Sequence, residues 1–194
     1  MTTNQTLRQT NAFAMLDGLK FGLYWCFGFM CMVKGVGNGA LSSLGMMVVI
    51  SAPFLGGYLA HRFEGQVRPD EPVSYGKAYL YSALLYLYAA IILSVAAFVY
   101  FRWFDGGSFV TDYMAIHNSP EMQQALHQSG MQEFFNTAVK QSGFSNLEEM
   151  LRSISAADIA ASLFNANFFI GLILSLPTAL VGKTSSRYKQ QNNL

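Results

Sequence analysis

The sequence predicts an all-α integral membrane protein: four transmembrane helices with a helical extracytoplasmic insertion between helices 3 and 4. Three observations carry that expectation. Residues 21–33, 35–60, 78–101 and 159–182 contain no Asp, Glu, Lys or Arg, and a helix rising about 1.5 Å per residue needs about 20 apolar residues to cross the hydrocarbon. The last three stretches clear that length, and the first reaches it by taking in Asp17 and Lys20. Of the 194 residues, 52% are hydrophobic and 12% charged, about half the charge of an ordinary soluble domain and too little to cover a globule of this size in polar surface. Finally, no segment shows the period-two alternation of a strand. The expected organisation is a single membrane domain over 1–194, with spans at about 12–33, 39–60, 77–101 and 158–182 and an extracytoplasmic helical loop at 102–157.

The first span is expected to persist in the mature protein. Asp17 and Lys20 interrupt its apolar run, no short basic start leads it, and no small-x-small cleavage site follows. Gly18-x-x-x-Gly22 gives it a small face. Cys26 and Cys31 are the only cysteines; five residues apart on a helix, they point to different faces, so they are expected to be small buried hydrophobes without a disulfide. Gly35-Val36-Gly37-Asn38-Gly39 makes a tight hairpin to the second span. There Gly45, Ala52, Gly56 and Gly57 should allow close helix approach, and Pro53 removes a backbone hydrogen bond.

The third span is tyrosine-rich. Tyr75, Tyr79 and Tyr86 share a face with Ser82, while Tyr81 and Tyr88 form a second stripe. Between spans three and four the chain is acidic, with seven acids against three bases over 102–158. Its apolar residues are nonetheless patterned: Met131, Phe134, Phe135, Ala138 and Val139 fall on one helix face, and Leu147, Met150, Leu151 and Ile154 repeat the spacing. Ser119-Pro120, Ser145-x-x-Glu148 and Ser155-x-x-Asp158 read as helix starts, with Gly130 and Gly143 as breaks. Two or three short amphipathic helices are expected there. Being acidic, they should pack on the bundle or on a partner rather than lie flat on lipid. Met131, Phe134, Phe135, Leu147, Met150 and Leu151 form the candidate partner-docking face. The fourth span carries Pro177.

An even number of spans puts the N-terminus, the 60–77 connection and the C-terminal tail on one side. That side holds Arg8, Arg62, Arg68, Lys77, Lys183, Arg187 and Lys189, against Lys34, Arg102, Lys140 and Arg152 on the other. Positive charge favours the cytoplasm, so both termini should be cytoplasmic.

Polar groups inside the spans are the candidate site. Asp17 and Lys20, three apart, can pair on one face. Tyr86, near mid-span, and Asn165 and Asn167 need partners and should point toward other helices. If Asp17 sits inside the bundle it is the best candidate for an ion or proton site. His61-x-x-Glu64 supplies at most two metal ligands where three or four are needed. No Ser, His and acid arrangement or Gly-rich phosphate loop stands out. No catalytic, cofactor-binding or metal residue is therefore assigned, and the chain is expected not to be an enzyme. A net charge of +1 with scattered basic residues argues against nucleic acid.

The run Gly56-Gly57-Tyr58 to His61-Arg62-Phe63, followed by Val73-Ser74-Tyr75-Gly76-Lys77-Ala78, resembles domain of unknown function family 4199, small four-span membrane proteins of Bacteroidetes. The resemblance extends over nearly the whole chain, including a long outer loop. Members often carry a proline after the Asp near position 105, where this chain has Gly106-Gly107. It implies an inner-membrane location and no assigned reaction. The leading expectation is a non-enzymatic subunit or scaffold of a cell-envelope assembly, with membrane lipid and a membrane-protein partner or a second copy as its contacts. The alternatives are a small transporter or channel component working through Asp17 and Lys20, or an accessory to lipid-linked sugar chemistry in which Arg62, Arg68 and Lys77 meet a lipid phosphate.

Overall fold

The computed structural model describes residues 3–67 and 72–183, so Arg68, Arg187 and Lys189 lie outside the described residues. The elements are α1 (Thr3–Lys34), α2 (Gly39–Val67), α3 (Tyr75–Val99), a π-helical turn (Tyr100–Phe104) that continues α3, four short helices α4 (Ser108–His117), α5 (Pro120–Ser129), α6 (Met131–Gln141) and α7 (Leu147–Ser153), and α8 (Ala156–Gly182). Among the described residues there is no strand. Leu7–Lys34, Gly39–Val67, Tyr75–Phe104 and Ala156–Gly182 are long and apolar enough to cross a membrane.

Local chemistry sets the boundaries. Gly37 takes φ 81° in the α1–α2 hairpin, and the Asn38 side chain accepts from the backbone N–H of Ala40 and Leu41 at 3.2 and 3.3 Å, starting α2. Ser74 and Ser119 cap α3 and α5, and Ser155 with Asp158 forms a full capping box on α8. Gly130 and Gly143, at φ 70° and 77°, end α5 and α6. Two expectations need correction. The insertion holds four helices rather than two or three, and α7 is capped by Asn146, whose side chain accepts from Glu149 N–H at 2.8 Å, one residue after the expected Ser145.

α1 and α8 pack along α3, and α2 closes the bundle against α1 and α8. Gly28 faces Val48 and Gly45 faces Met32, which makes α1 and α2 antiparallel; Gly18 against Tyr88 and Gly22 against Ile92 make α1 and α3 parallel. Gly171 lies on Tyr86 while Tyr75 reaches Leu176, so α8 returns antiparallel to α3. A Cβ added at Gly18, Gly28, Gly45 or Gly171 would fall 2.5–2.6 Å from those side chains, which is why glycine occupies these crossings. Gly57, expected among them, faces open space. α2 and α8 run unbroken through Pro53 and Pro177. Phe21, Phe63, Tyr81 and Leu85 are fully buried, with Phe63 stacked on Tyr81 at 4.1 Å between centroids.

The outside of the bundle is apolar: Phe54, Met47 and Ile173 are 76, 66 and 67% exposed. An apolar surface of that extent marks contact with lipid or protein. The α1–α2 hairpin and helices α4–α7 lie at one end, the cap end; the start of α1 and α3 and the last turns of α2 and α8 form the opposite, base end.

Candidate functional site

At the base end the expected pair forms and gains two further partners. Lys20 Nζ lies 3.2 Å from Asp17 Oδ1, Arg62 of α2 approaches the same oxygen at 4.0 Å, and Tyr81 of α3 donates its hydroxyl to Asp17 Oδ2 at 2.9 Å. The Tyr81 hydroxyl also lies 3.3 Å from the Leu59 carbonyl. Asp17 itself is buried, while the two cations are partly exposed. One carboxylate thus joins three helices, a polar clasp in which two cations and a hydroxyl share a single negative charge.

The two tyrosine faces of α3 serve two neighbours. Toward α1, Tyr81 reaches Asp17 and Tyr88 donates to Asn11 Oδ1 at 2.7 Å. Toward α8, Tyr86 pairs with Thr178 at 3.3 Å and Tyr75 donates to the Leu176 carbonyl at 3.4 Å. Tyr24 of α1 and Ser51 of α2 close the remaining pair at 2.5 Å. The two asparagines part: Asn165 is exposed, against expectation, whereas Asn167 faces α1 and α3 beside Trp25 and Leu93, its amide donating back to Leu163 on its own helix at 2.8 Å. The face of α8 turned to the bundle runs through Gly171, Ser175, Thr178 and Gly182, and Asn165 lies about 100° off its continuation.

The cap end is built differently. The π turn inserts one residue into the count of α3, rotating the residues beyond it by about 100°. Asp105 comes next and is buried; it accepts from Tyr100 hydroxyl (3.2 Å), Gly107 N–H (3.0 Å), Ser108 hydroxyl (3.1 Å) and Phe109 N–H (3.0 Å). These bonds start α4 over Gly106 and Gly107, both at positive φ. Arg152 of α7 donates to Glu148 at 2.9 Å and to Thr111 of α4 at 3.1 Å, tying two cap helices together. Beneath them lies a cavity of about 470 Å³, walled by Phe29 and Val33 of α1, Phe101 of the π turn, Phe109 and Val110 of α4, Leu151 and Ile154 of the α7 end, and Ile159 and Leu163 of α8. None of this was assigned from sequence. The signal available was Asp105-Gly106-Gly107-Ser108, an acid before a glycine turn, which is a common way to open a helix.

All of these features but the Asn11 end of the Tyr88 bond fall within one matched stretch. A profile of the family described as protein of unknown function (DUF4199) matches residues 16–184. The chain belongs to DUF4199. No curated protein and no solved structure matches it. The matched stretch takes in the Asp17 clasp, all of the cap and the cavity.

The cap of this DUF4199 protein divides the residues expected to form one docking face. Val139 is buried, and Phe135 packs edge-on against His117 at 5.7 Å between centroids. Leu147 and Met150 are half-buried and Leu151 lines the cavity. Met131 and Phe134 stay outside, 42 and 63% exposed. The cap's own packing therefore consumes part of the predicted stripe and leaves its first turn free.

Proposed function

We propose that this chain is a multi-pass protein of the bacterial inner membrane with both termini cytoplasmic, acting without catalysis as a subunit or scaffold of a cell-envelope assembly. The observation that carries this reading is the exposed first turn of α6. Met131 and Phe134 stand on a cap that lies beyond the ends of the four apolar helices, where water rather than lipid would meet them. Exposed aromatic and Met side chains in water are the usual anchors of protein contacts. The partner is the extracytoplasmic part of another membrane protein.

The charge count along the sequence supports the orientation: Arg8, Arg62, Arg68, Lys77, Lys183, Arg187 and Lys189 belong to the terminal segments and the 60–77 connection, against Lys34, Arg102, Lys140 and Arg152 on the other side, although the described residues alone give four at each end. The Asp17 clasp supports scaffold over transporter, because a permeation path needs a carboxylate that can change partners and Asp17 is held by three. Arg62, turned toward that carboxylate, is also poorly placed to meet a lipid phosphate.

Purification in mild detergent through a C-terminal tag should bring down a membrane protein that is lost when Met131 and Phe134 are both changed to Ser. A clean monomer or self-dimer across several detergents would overturn the scaffold. A tag at either terminus that is reached by antibody on intact spheroplasts would overturn the orientation.

A further inference from the structure

We propose that the cavity under the cap binds one hydrocarbon chain of a membrane lipid, admitted sideways between α1 and α8. The inference rests on the membrane reading and adds a ligand to it. Its first support is topological. α1 and α8 each pack along α3 but scarcely touch one another, and α2, which packs on both, meets α8 at the base end where Gly182 lies on Ala60, so toward the cap a gap floored by α3 separates α1 from α8, lined without any residue of α2. Lower in the bundle that gap is a slit of about 10 Å³ between Trp25, Leu93 and Asn167. At the cap end it widens to about 470 Å³, within the range of pockets that hold a small-molecule ligand.

The second support is chemical. The walls contributed by Phe29, Phe101, Val110, Leu151, Ile159 and Leu163 are hydrocarbon, and the two charged side chains at the rim are already engaged. Asp105 accepts four hydrogen bonds, and Arg152 is bound to Glu148 and Thr111. The lining is thus mostly hydrocarbon, with its polar part confined to the side formed by Asp105, Gly107 and Arg152. A half-open hollow with mostly hydrocarbon walls, facing the side that lipid would occupy, gains most from an apolar guest that takes those walls out of water. The third support is the backbone: the π turn carries Phe101 in the cavity wall, and such turns recur at functional sites. Acyl and isoprenyl chains share the required chemistry.

The test uses the full chain in nanodiscs of phosphatidylethanolamine and phosphatidylglycerol. One arm contains a phospholipid with a diazirine at the end of one acyl chain, the other a polyprenyl phosphate with the diazirine on its terminal isoprene. Irradiation and peptide mapping should place the label at Phe101, Ile159 or Leu163 in preference to Phe54 and Ile173, and the stronger arm identifies the source. Leu163→Trp should cut that labelling about tenfold or more, because it displaces several chain methylenes, while Ile173→Trp leaves it unchanged. Val110→Trp fills the cavity from the roof and serves if Leu163→Trp does not fold. Label spread evenly over the exposed apolar surface, or unaffected by either filling variant, overturns the ligand site. Recovery of the chain in the aqueous phase without detergent would instead overturn the membrane reading beneath it.

Discussion

The base and the cap end of this bundle solve the same packing problem in opposite ways. At the base, polar groups bond across helices: Asp17 of α1 with Arg62 of α2 and Tyr81 of α3, and Tyr75 and Tyr86 of α3 with α8. At the cap end, Asp105 takes donors from residues 100–109 and Arg152 bonds Glu148 four residues back, while its longer bond, to Thr111, joins α7 to α4 within the cap rather than two of the long helices. Contacts between long helices there are aromatic, as where Phe29 meets Tyr100 and Phe101 edge-on at 6.2 and 6.1 Å. Cross-helix hydrogen bonds hold the backbones at one distance at the base, whereas toward the cap glycine crossings at Gly28 and Gly45 fix α1 on α2 only, and the aromatic edges and locally satisfied charges between α1, α8 and the cap helices leave a 470 Å³ cavity open. The difference teaches that the base fixes the fold and the cap end is free to bind.

If so, substitutions at glycine crossings should cost most. Gly18→Leu forces a side chain between α1 and α3, where even a Cβ would lie 2.6 Å from Tyr88 Cβ and 3.1 Å from the Leu85 carbonyl. Backbone cannot yield as a side-chain tip does, so a loss of about 3 kcal/mol or more is expected. Thermal unfolding in detergent would measure it. A loss no greater than that of Gly57→Leu, at a glycine facing open space, would remove the distinction between packed and unpacked glycines.

Asp17→Ala comes next, at about 2 kcal/mol, since Tyr81 loses its acceptor while the cations, partly exposed, recover water. Asp17→Asn keeps an oxygen for Tyr81 and should cost about 1 kcal/mol. The same variant sharpens the functional contrast: vesicles reconstituted with it should show ion flux no different from those with the unaltered chain. A clear fall in flux would restore Asp17 to a transport path and turn the base into the working end.

Asp105→Ala should act on the cap alone. Removing the acceptor that starts α4 costs about 1 to 2 kcal/mol locally, so proteolysis within 108–153 should quicken while the bundle's unfolding temperature barely moves. Unfolding of the whole chain at that lower threshold would mean that cap and bundle are one cooperative unit, and the comparison would fail.

The range of each interaction decides how much of the fold and of the clasp was legible in the sequence. Four apolar stretches, the Ser119 and Ser155 caps, the glycine breaks and the two tyrosine faces are local patterns, and the helices Gly39–Val67, Tyr75–Val99 and Ala156–Gly182 express them directly. The Asp17–Lys20 pair, three residues apart, was visible for the same reason. Arg62 and Tyr81, its other partners, come from 45 and 64 residues away, and no period announces them. Asn165 was misplaced because its need for a partner was read without knowing which face of α8 meets α3; the stripe of Gly171, Ser175 and Thr178 decides that, and it points elsewhere. The π turn has no compositional mark in Tyr100–Phe104. The cavity exists only once α1, α4, α7 and α8 converge.

The smallest expected change in stability is at the surface proposed to matter most for binding. Phe134 is 63% exposed on α6, so Phe134→Ser removes little buried area, and unfolding should shift by no more than about 0.5 kcal/mol. An exposed aromatic at the centre of an interface nonetheless contributes about 2 kcal/mol or more to association, which is more than a tenfold loss of a copurifying partner. The two readouts must separate. Equal retention of the partner by the Phe134→Ser and unaltered chains would show that the first turn of α6 is ordinary surface, and the cap would then be a roof for the cavity and nothing more. Loss of the partner with stability intact would mean that an aromatic the cap's own packing left outside, one residue before the Phe135–His117 contact, is held there for another molecule.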